Sequence, residues 1–178
     1  SKKTIVFGNV IEFGAELLKN KFLNFFQKKK IKKLDFSDKH LNHKSVIKAD
    51  LNKKIKIKKN SYDSVLLFNV LEHLVDINNA KKEIYKIMKK NAVLIGSTPF
   101  LYEFHGAPSD YYRFTKPFLE IFFKKNFKII KISNLGFGPF CLGYSFLSHF
   151  TRKIPFFNLF FFTITLFILS PISWINLM

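Results

Sequence analysis

Apolar and polar positions alternate in blocks between Ser61 and Pro99, and the blocks read as strand, turn, helix, strand. Asp63 to Phe68 (DSVLLF) is a short apolar run, long enough for a buried strand and too short for a helix. Asn69 ends it. Asp76 then has the chemistry of a helix N-cap, and Ala80, Ile84, Ile87 and Met88 form one apolar face behind it. Asn91 is the expected helix stop, because asparagine tolerates the left-handed conformation. Ala92 to Ser97 is a second buried run, closed by Pro99. Two buried strands around one amphipathic helix predict a βαβ unit and a parallel sheet. Ligands of such sheets bind beyond the carboxyl ends of the strands, here Asn69 to His73 and Ser97 to Tyr102.

The same reading extends outward. Asn9 to Phe13 predicts a first strand, with Gly14 as the turn after it. Glu16 to Lys29 predicts a helix carrying Leu18, Phe22, Phe25 and Phe26 on one face. Ile31 to Phe36 and Ser45 to Lys48 predict two further strands, with Asp35 near the end of the first and Asp50 just past the second. Thr115 and Pro117 stand at cap and first-turn positions of a helix running to about Lys125, and Phe127 to Ser133 predicts another strand. Asn52 to Asn60 alternates Lys and Ile, which in isolation suggests an exposed strand.

Several of these stretches resemble class I S-adenosylmethionine-dependent methyltransferases. SYDSVLLFNVLEHL, an amphipathic helix and a strand ending in STPF are similar to the fourth-to-fifth-strand core of that superfamily. HGAPSDYYRFT resembles a motif of one of its branches, within the type 11-like methyltransferases. The resemblance covers roughly residues 9 to 133. It implies an α/β, Rossmann-like doubly wound, mostly parallel sheet with helices on both faces, plus an apolar C-terminal extension. It also makes Asn52 to Asn60 a loop.

The resemblance implies S-adenosyl-L-methionine as cofactor. Glu12 and Gly14 match the acidic strand end and Gly-rich loop that approach the methionine part. Ala15, Glu16 and Leu17 depart from the usual further glycines, and Glu16 could instead cap the next helix. Asp35 matches the carboxylate that accepts both ribose hydroxyls, a task for an acceptor-only group; capping of the DFSD turn is the alternative. Asp50 matches the acid that meets the adenine amino group, and Leu51 supplies the next backbone N–H. The backbone of Phe68 and Asn69 lines the methyl-donor pocket.

The acceptor side falls to Phe100 to Thr115, a polar, aromatic, turn-rich loop over the strand ends. His73 and His105 are the candidate catalytic bases, since histidine titrates near neutrality. His73 could equally cap the turn into the helix, and for Glu72 that capping role is the stronger expectation. Asp110, Tyr111 and Arg113 are expected to bind the acceptor, although Asp110 and Arg113 could pair and brace the loop. No metal is expected, because no local set of further ligands accompanies Glu72 and His73.

Composition changes the picture at the far end. The chain has 178 residues and a formal net charge of +18. Such a charge suggests an anionic partner. Lys, Phe, Ile and Asn are over-used together, however, as in an AT-rich coding sequence, so most lysines read as solvated defaults. The basic stretch has no interleaved aromatics, so nucleic acid is disfavoured, and a nucleic-acid methyltransferase or binder stays an alternative. One cysteine, Cys141, excludes an intrachain disulfide and fits a reducing compartment. SKKTIVFGNV carries no cleavable apolar region, and the chain begins at Ser1.

Beyond residue 132 only Arg152 and Lys153 are charged apart from His149, so two regions are expected. Residues 1–133 form the cofactor-binding domain, and 134–178 form an apolar segment. Ile154 to Met178 has no charged residue, long enough to span a bilayer, which takes about 20 apolar residues. Pro155, Asn158, Pro171 and Asn176 disfavour one clean span, leaving an interfacial hairpin or a buried dimer surface as alternatives. Membrane attachment through 154–178 ranks first, with the domain on the cytoplasmic face by the positive-inside rule. The acceptor is then a small molecule or a glycan or lipid-linked group near the membrane. The alternative is a degenerate methyltransferase fold serving as a membrane-bound scaffold, motivated by the missing glycines.

Overall fold

A computed structural model describes residues 6–14, 31–38, 46–102, 104–106, 109–129 and 131–133. Five strands make one sheet: β1 (Gly8–Phe13), β2 (Ile31–Asp38), β3 (Val46–Lys48), β4 (Tyr62–Phe68) and β5 (Met88–Ser97). Their order is β3-β2-β1-β4-β5, and all four pairings are parallel. The chain builds outward from β1 to β3, then crosses back to lay β4 on the other side of β1. That reversal leaves a crevice at the carboxyl ends of β1 and β4, where open α/β sheets bind ligands. The expected doubly wound parallel sheet is therefore present. The helix expected at Glu16 to Lys29 and the apolar segment 134–178, with its expected membrane contact, lie outside the described residues.

Burial runs on both faces of the sheet. On one face Ile11, Val65 and Leu67 meet Ala80, Ile84 and Ile87 of helix α1 (Ile77–Ile87). Each such side chain stabilises the fold by about 1.5–3 kcal/mol relative to exposure. Helix α2 (Lys116–Lys124) joins the same cluster through Leu119 and Phe123. On the other face Val6, Val10 and Leu66 form a second cluster.

Both caps act as their chemistry dictates. The Asp76 carboxylate accepts from the Asn79 N–H at 2.8 Å, and the Thr115 hydroxyl accepts from the Phe118 N–H at 3.4 Å. The stretch 52–60 contains no strand and runs as the expected loop. Three boundaries differ from expectation. Helix α1 ends at Ile87 rather than at Asn91, because the Asn60 and Ser61 N–H groups take the carbonyls of Lys86 and Ile87. Asn91 is left-handed as expected (φ 64°), but inside β5, where the register with β4 shifts between Tyr62 and Ser64. No strand forms over the described residues from Phe127 to Ser133. The Phe127 N–H bonds the Phe123 carbonyl at 2.9 Å and so still belongs to the turn closing α2.

The sequence pattern gave no sign of one interior ion pair. Glu83, 4% exposed, pairs with Lys86 and accepts from the Ile55 N–H at 3.0 Å, while the Lys86 amine also reaches the Ile55 carbonyl. Burial alone would raise the Glu83 carboxyl, but Lys86 and the Ile55 N–H lower it below its usual value. This pair ties the long loop to α1. Replacing Glu83 with Ala strands a half-buried amine and a buried N–H. The expected cost is about 3 kcal/mol, read as a lower urea midpoint at unchanged slope.

Candidate active site

Gly14 ends β1 in the left-handed region (φ 70°), and its N–H bonds the Ser37 carbonyl at 2.9 Å. A Cβ there would lie 2.7 Å from Val70 Cγ2, so only glycine brings the chain this close to the end of β4. Glu12, just before it, is 8% exposed and has no ion pair among the described residues; burial pushes its carboxyl up. Asn69 follows β4, also left-handed (φ 51°). Its N–H bonds the Ser97 carbonyl at 2.9 Å, and its side-chain oxygen accepts from the Ser97 hydroxyl at 3.1 Å. Phe68 precedes it, half-buried against the second core cluster. Asp50 and Leu51 lie just past the end of β3. The Asp50 carboxylate accepts from the Asn52 N–H at 3.0 Å, and Leu51 is buried. Glu12, Gly14, Asp50, Leu51, Phe68 and Asn69 thus share the carboxyl edge of the sheet.

Asp35 does not. β2 runs on to Asp38, because Phe36, Ser37 and Asp38 pair with Val46, Ile47 and Lys48 and the Ser37 hydroxyl donates to the Ile47 carbonyl at 2.9 Å. Asp35 is therefore three residues short of the strand end, about 10 Å at the usual rise. Its carboxylate accepts from the Tyr62 hydroxyl and from Lys33, both at 2.9 Å. It lines a cavity with Asn9, Lys33 and Tyr62, towards the amino ends of β1 and β4. Burial foremost, and then the Asp35 carboxylate, push the Tyr62 phenol up. The acid at the carboxyl end of β2 is Asp38. Strand length, which periodicity reads poorly, separates the two.

On the acceptor side, the residues from Leu71 to His73 form a short 3-10 turn. Glu72 is fully buried, and its carbonyl accepts from the Tyr111 N–H at 2.7 Å. Burial raises its carboxyl above the usual range, against the pull of His73 and His105. His73 Nδ1 lies 2.5 Å from the Ser109 carbonyl. A carbonyl only accepts, so Nδ1 is the donor, and Nε2 is the nitrogen that faces Glu72. His105 packs edge-on against His73, with ring centroids 5.1 Å apart, and against Tyr102 at the same distance.

Asp110 organises this loop. Its carboxylate, 1% exposed, takes the Arg113 guanidinium on both oxygens and the His105 N–H at 3.0 Å. Arg113 also donates to the Tyr102 and Tyr112 carbonyls. Of the three residues expected to bind acceptor, Asp110 and Arg113 therefore form the internal brace. Tyr111 keeps an exposed ring. Arg113 foremost holds the Asp110 carboxyl well below the usual range, while burial opposes it. A folded-state value below the unfolded one means stability that is present above about pH 4 and lost as pH falls through the folded value.

Asp110→Asn removes charge-assisted bonds of about 1.5–3 kcal/mol. Hydrogen exchange at the His105 and Tyr111 amides is expected to speed up by about 10- to 100-fold at neutral pH. Acidification of the unaltered protein should lower the protection of the same amides relative to their intrinsic exchange rates. Equal exchange in both proteins would show that the pair braces nothing.

Comparison with known proteins places this geometry. Residues 15–96 match the family model described as the methyltransferase domain. No curated protein sequence matches the chain. The S-adenosylmethionine-dependent methyltransferase of Archaeoglobus fulgidus superposes with a TM-score of 0.52 at 17% identity, over 75% of this chain and 72% of that one. Phosphoethanolamine N-methyltransferase 2 of Haemonchus contortus, solved with S-adenosyl-L-methionine, gives 0.58 at 14% identity, over 85% of this chain and 40% of that one. The chain spans about half the length of several other solved proteins that it matches. Residues 15–96 match the methyltransferase-domain model, and the five-stranded parallel sheet has the fold of these solved methyltransferases.

Proposed function

We propose that the chain binds S-adenosylmethionine in the crevice between β1 and β4 and transfers its methyl group to an acceptor held under the Phe100–Thr115 loop. The observation that carries this reading is the pair of left-handed residues at the crevice, Gly14 and Asn69, which bring two strand ends together without a side chain at Gly14. Such a cradle fits a ligand that backbone groups approach closely. Glu12, Asp50, Leu51 and Phe68 line the cofactor's side. Asp38 takes the ribose role, because it stands at the carboxyl end of β2 while Asp35 lies three residues back towards the amino-end cavity.

The cofactor supplies an electrophilic methyl carbon on a sulfonium. In the transfer the acceptor–carbon bond forms as the carbon–sulfur bond breaks. The electron pair stays on sulfur, and the acceptor's proton passes to a base. Alignment supplies much of the rate in such a displacement. His73 Nε2 and the His105 ring are the basic nitrogens nearest the crevice, and the Asp110–Arg113 brace fixes the second of them. A glycan or lipid-linked acceptor at the cytoplasmic face of a membrane is the class favoured by the uncharged sequence 154–178. No helix among the described residues is long and apolar enough to cross a membrane, so this class rests on the sequence alone.

Calorimetric titration of the full chain with S-adenosylmethionine is expected to show saturable one-to-one binding. Asp38→Ala should weaken it by about 10- to 100-fold, the worth of charged hydrogen bonds. Asp35→Ala should leave it unchanged and lower thermal stability instead. The reverse ranking would return the ribose role to Asp35. A folded protein that binds no cofactor would leave the scaffold reading in possession.

A further inference from the structure

Glu72, His73 and His105 form a cluster that methyl transfer as described above leaves underused. Each offers a ligand atom, and the three atoms lie within 4.8 Å of one another. Glu72 Oε1 is 3.9 Å from His73 Nε2. Two atoms of the cluster are buried without a hydrogen-bond partner among the described residues, Glu72 Oε1 and His105 Nδ1. The other carboxylate oxygen, Oε2, is only 3.4 Å from the Thr98 hydroxyl. A fully buried carboxylate with an unmet oxygen is costly unless something pairs with it.

The surroundings of the histidines fit ligation. His73 Nδ1 donates to the Ser109 carbonyl, which fixes the ring and turns the Nε2 lone pair towards Glu72. His105 Nδ1 lies 3.1 Å from the buried Asp110 carboxylate, off the hydrogen-bonding direction. A small rotation of the ring makes that contact a bond and leaves Nε2 as donor. Carbonyl and carboxylate partners behind the two imidazoles are the usual support of metal-binding histidines.

We infer that Glu72, His73 and His105 bind one divalent first-row transition ion of the zinc class, with at least one coordination position left open. Two imidazoles and one carboxylate suit that class rather than calcium or magnesium, which prefer all-oxygen sets. Bonds of about 2.1 Å would draw the three donors to within about 3.4 Å of each other. His105 stands on a loop and Glu72 and His73 on a tight turn, so the loop supplies the closing movement. The ligand set was not legible as a local motif because His105 comes from the far side of β5. The open position faces the acceptor side. If the proposed methyl transfer is correct, an acceptor hydroxyl binds there, the ion lowers its pKa, and its proton passes to solvent water rather than to His73, whose lone pair then holds the ion.

The test uses the full chain, freed of metal by a chelator, and titrated with Co²⁺ and then Zn²⁺. The expected result is one Co²⁺ per chain with visible ligand-field bands, displaced by Zn²⁺. Glu72→Gln and His105→Gln, each checked for an unchanged circular dichroism spectrum, should weaken binding by at least about tenfold. Glu120→Gln, exposed on α2 and outside the cluster, should keep it. His105→Gln carries the test if Glu72→Gln does not fold, because His105 sits on the loop. Binding that survives in the folded variants, or no stoichiometric binding by the folded parent, overturns the site. S-adenosylmethionine titration of the same samples separates the readings: cofactor binding without metal binding sinks the ion alone.

Discussion

The parallel pairing of β1 with β4 is the constraint on which the rest depends. Val10 to Phe13 lie beside Ser64 to Leu67, although more than fifty residues separate them in the chain. The pairing forces the chain to reverse its direction of winding and opens the crevice at one edge of the sheet. It also explains the demand at Gly14, where Val70 of the neighbouring strand end leaves no space for a side chain. A second close approach guards the opposite edge. Gly8, also left-handed, packs against the Asp63 side chain, which accepts from the Asn9 N–H and pairs with Lys89. The same two strands are thus pinned at both ends.

Most of this architecture was legible in the residues. The run DSVLLF announced a buried strand and AVLIGS a strand, although β5 lies at the sheet edge and that run is only half-buried, and Asp76, Thr115 and Pro117 announced helix starts, because cap chemistry is local. What failed was decided by partners distant in sequence. Met88 looks like a helical position, but Tyr62 draws it into the sheet. Phe127 looks like a strand start, but its N–H is spent on α2. Asp35 looks like a strand-end acid, but pairing with β3 carries the strand past it.

The candidate site divides in the same way. The turn at Gly14 and the end of the strand at Asn69 were readable, since glycine and asparagine are residue types that tolerate the left-handed conformation both adopt. The pairing of Asp110 with Arg113 was foreseen as an alternative to acceptor binding, and the loop uses both side chains for its own support. The convergence of His105 on Glu72 and His73 was not readable. It follows from the fold of the loop over β4 and β5, and no spacing in the sequence encodes it.

The proposed acceptor half of the site, from Val70 to Arg113, is one contiguous stretch braced by its own ion pair. The cofactor half is spread across β1, β2 and β3 and depends on long crossovers. The two halves touch mainly where Asn69 meets Ser97. Under the proposed methyl transfer, such a division lets selection revise the loop, and with it the acceptor, without rebuilding the part that holds the donor. The modularity that permits many chemistries on one scaffold is here confined to a single replaceable segment of chain.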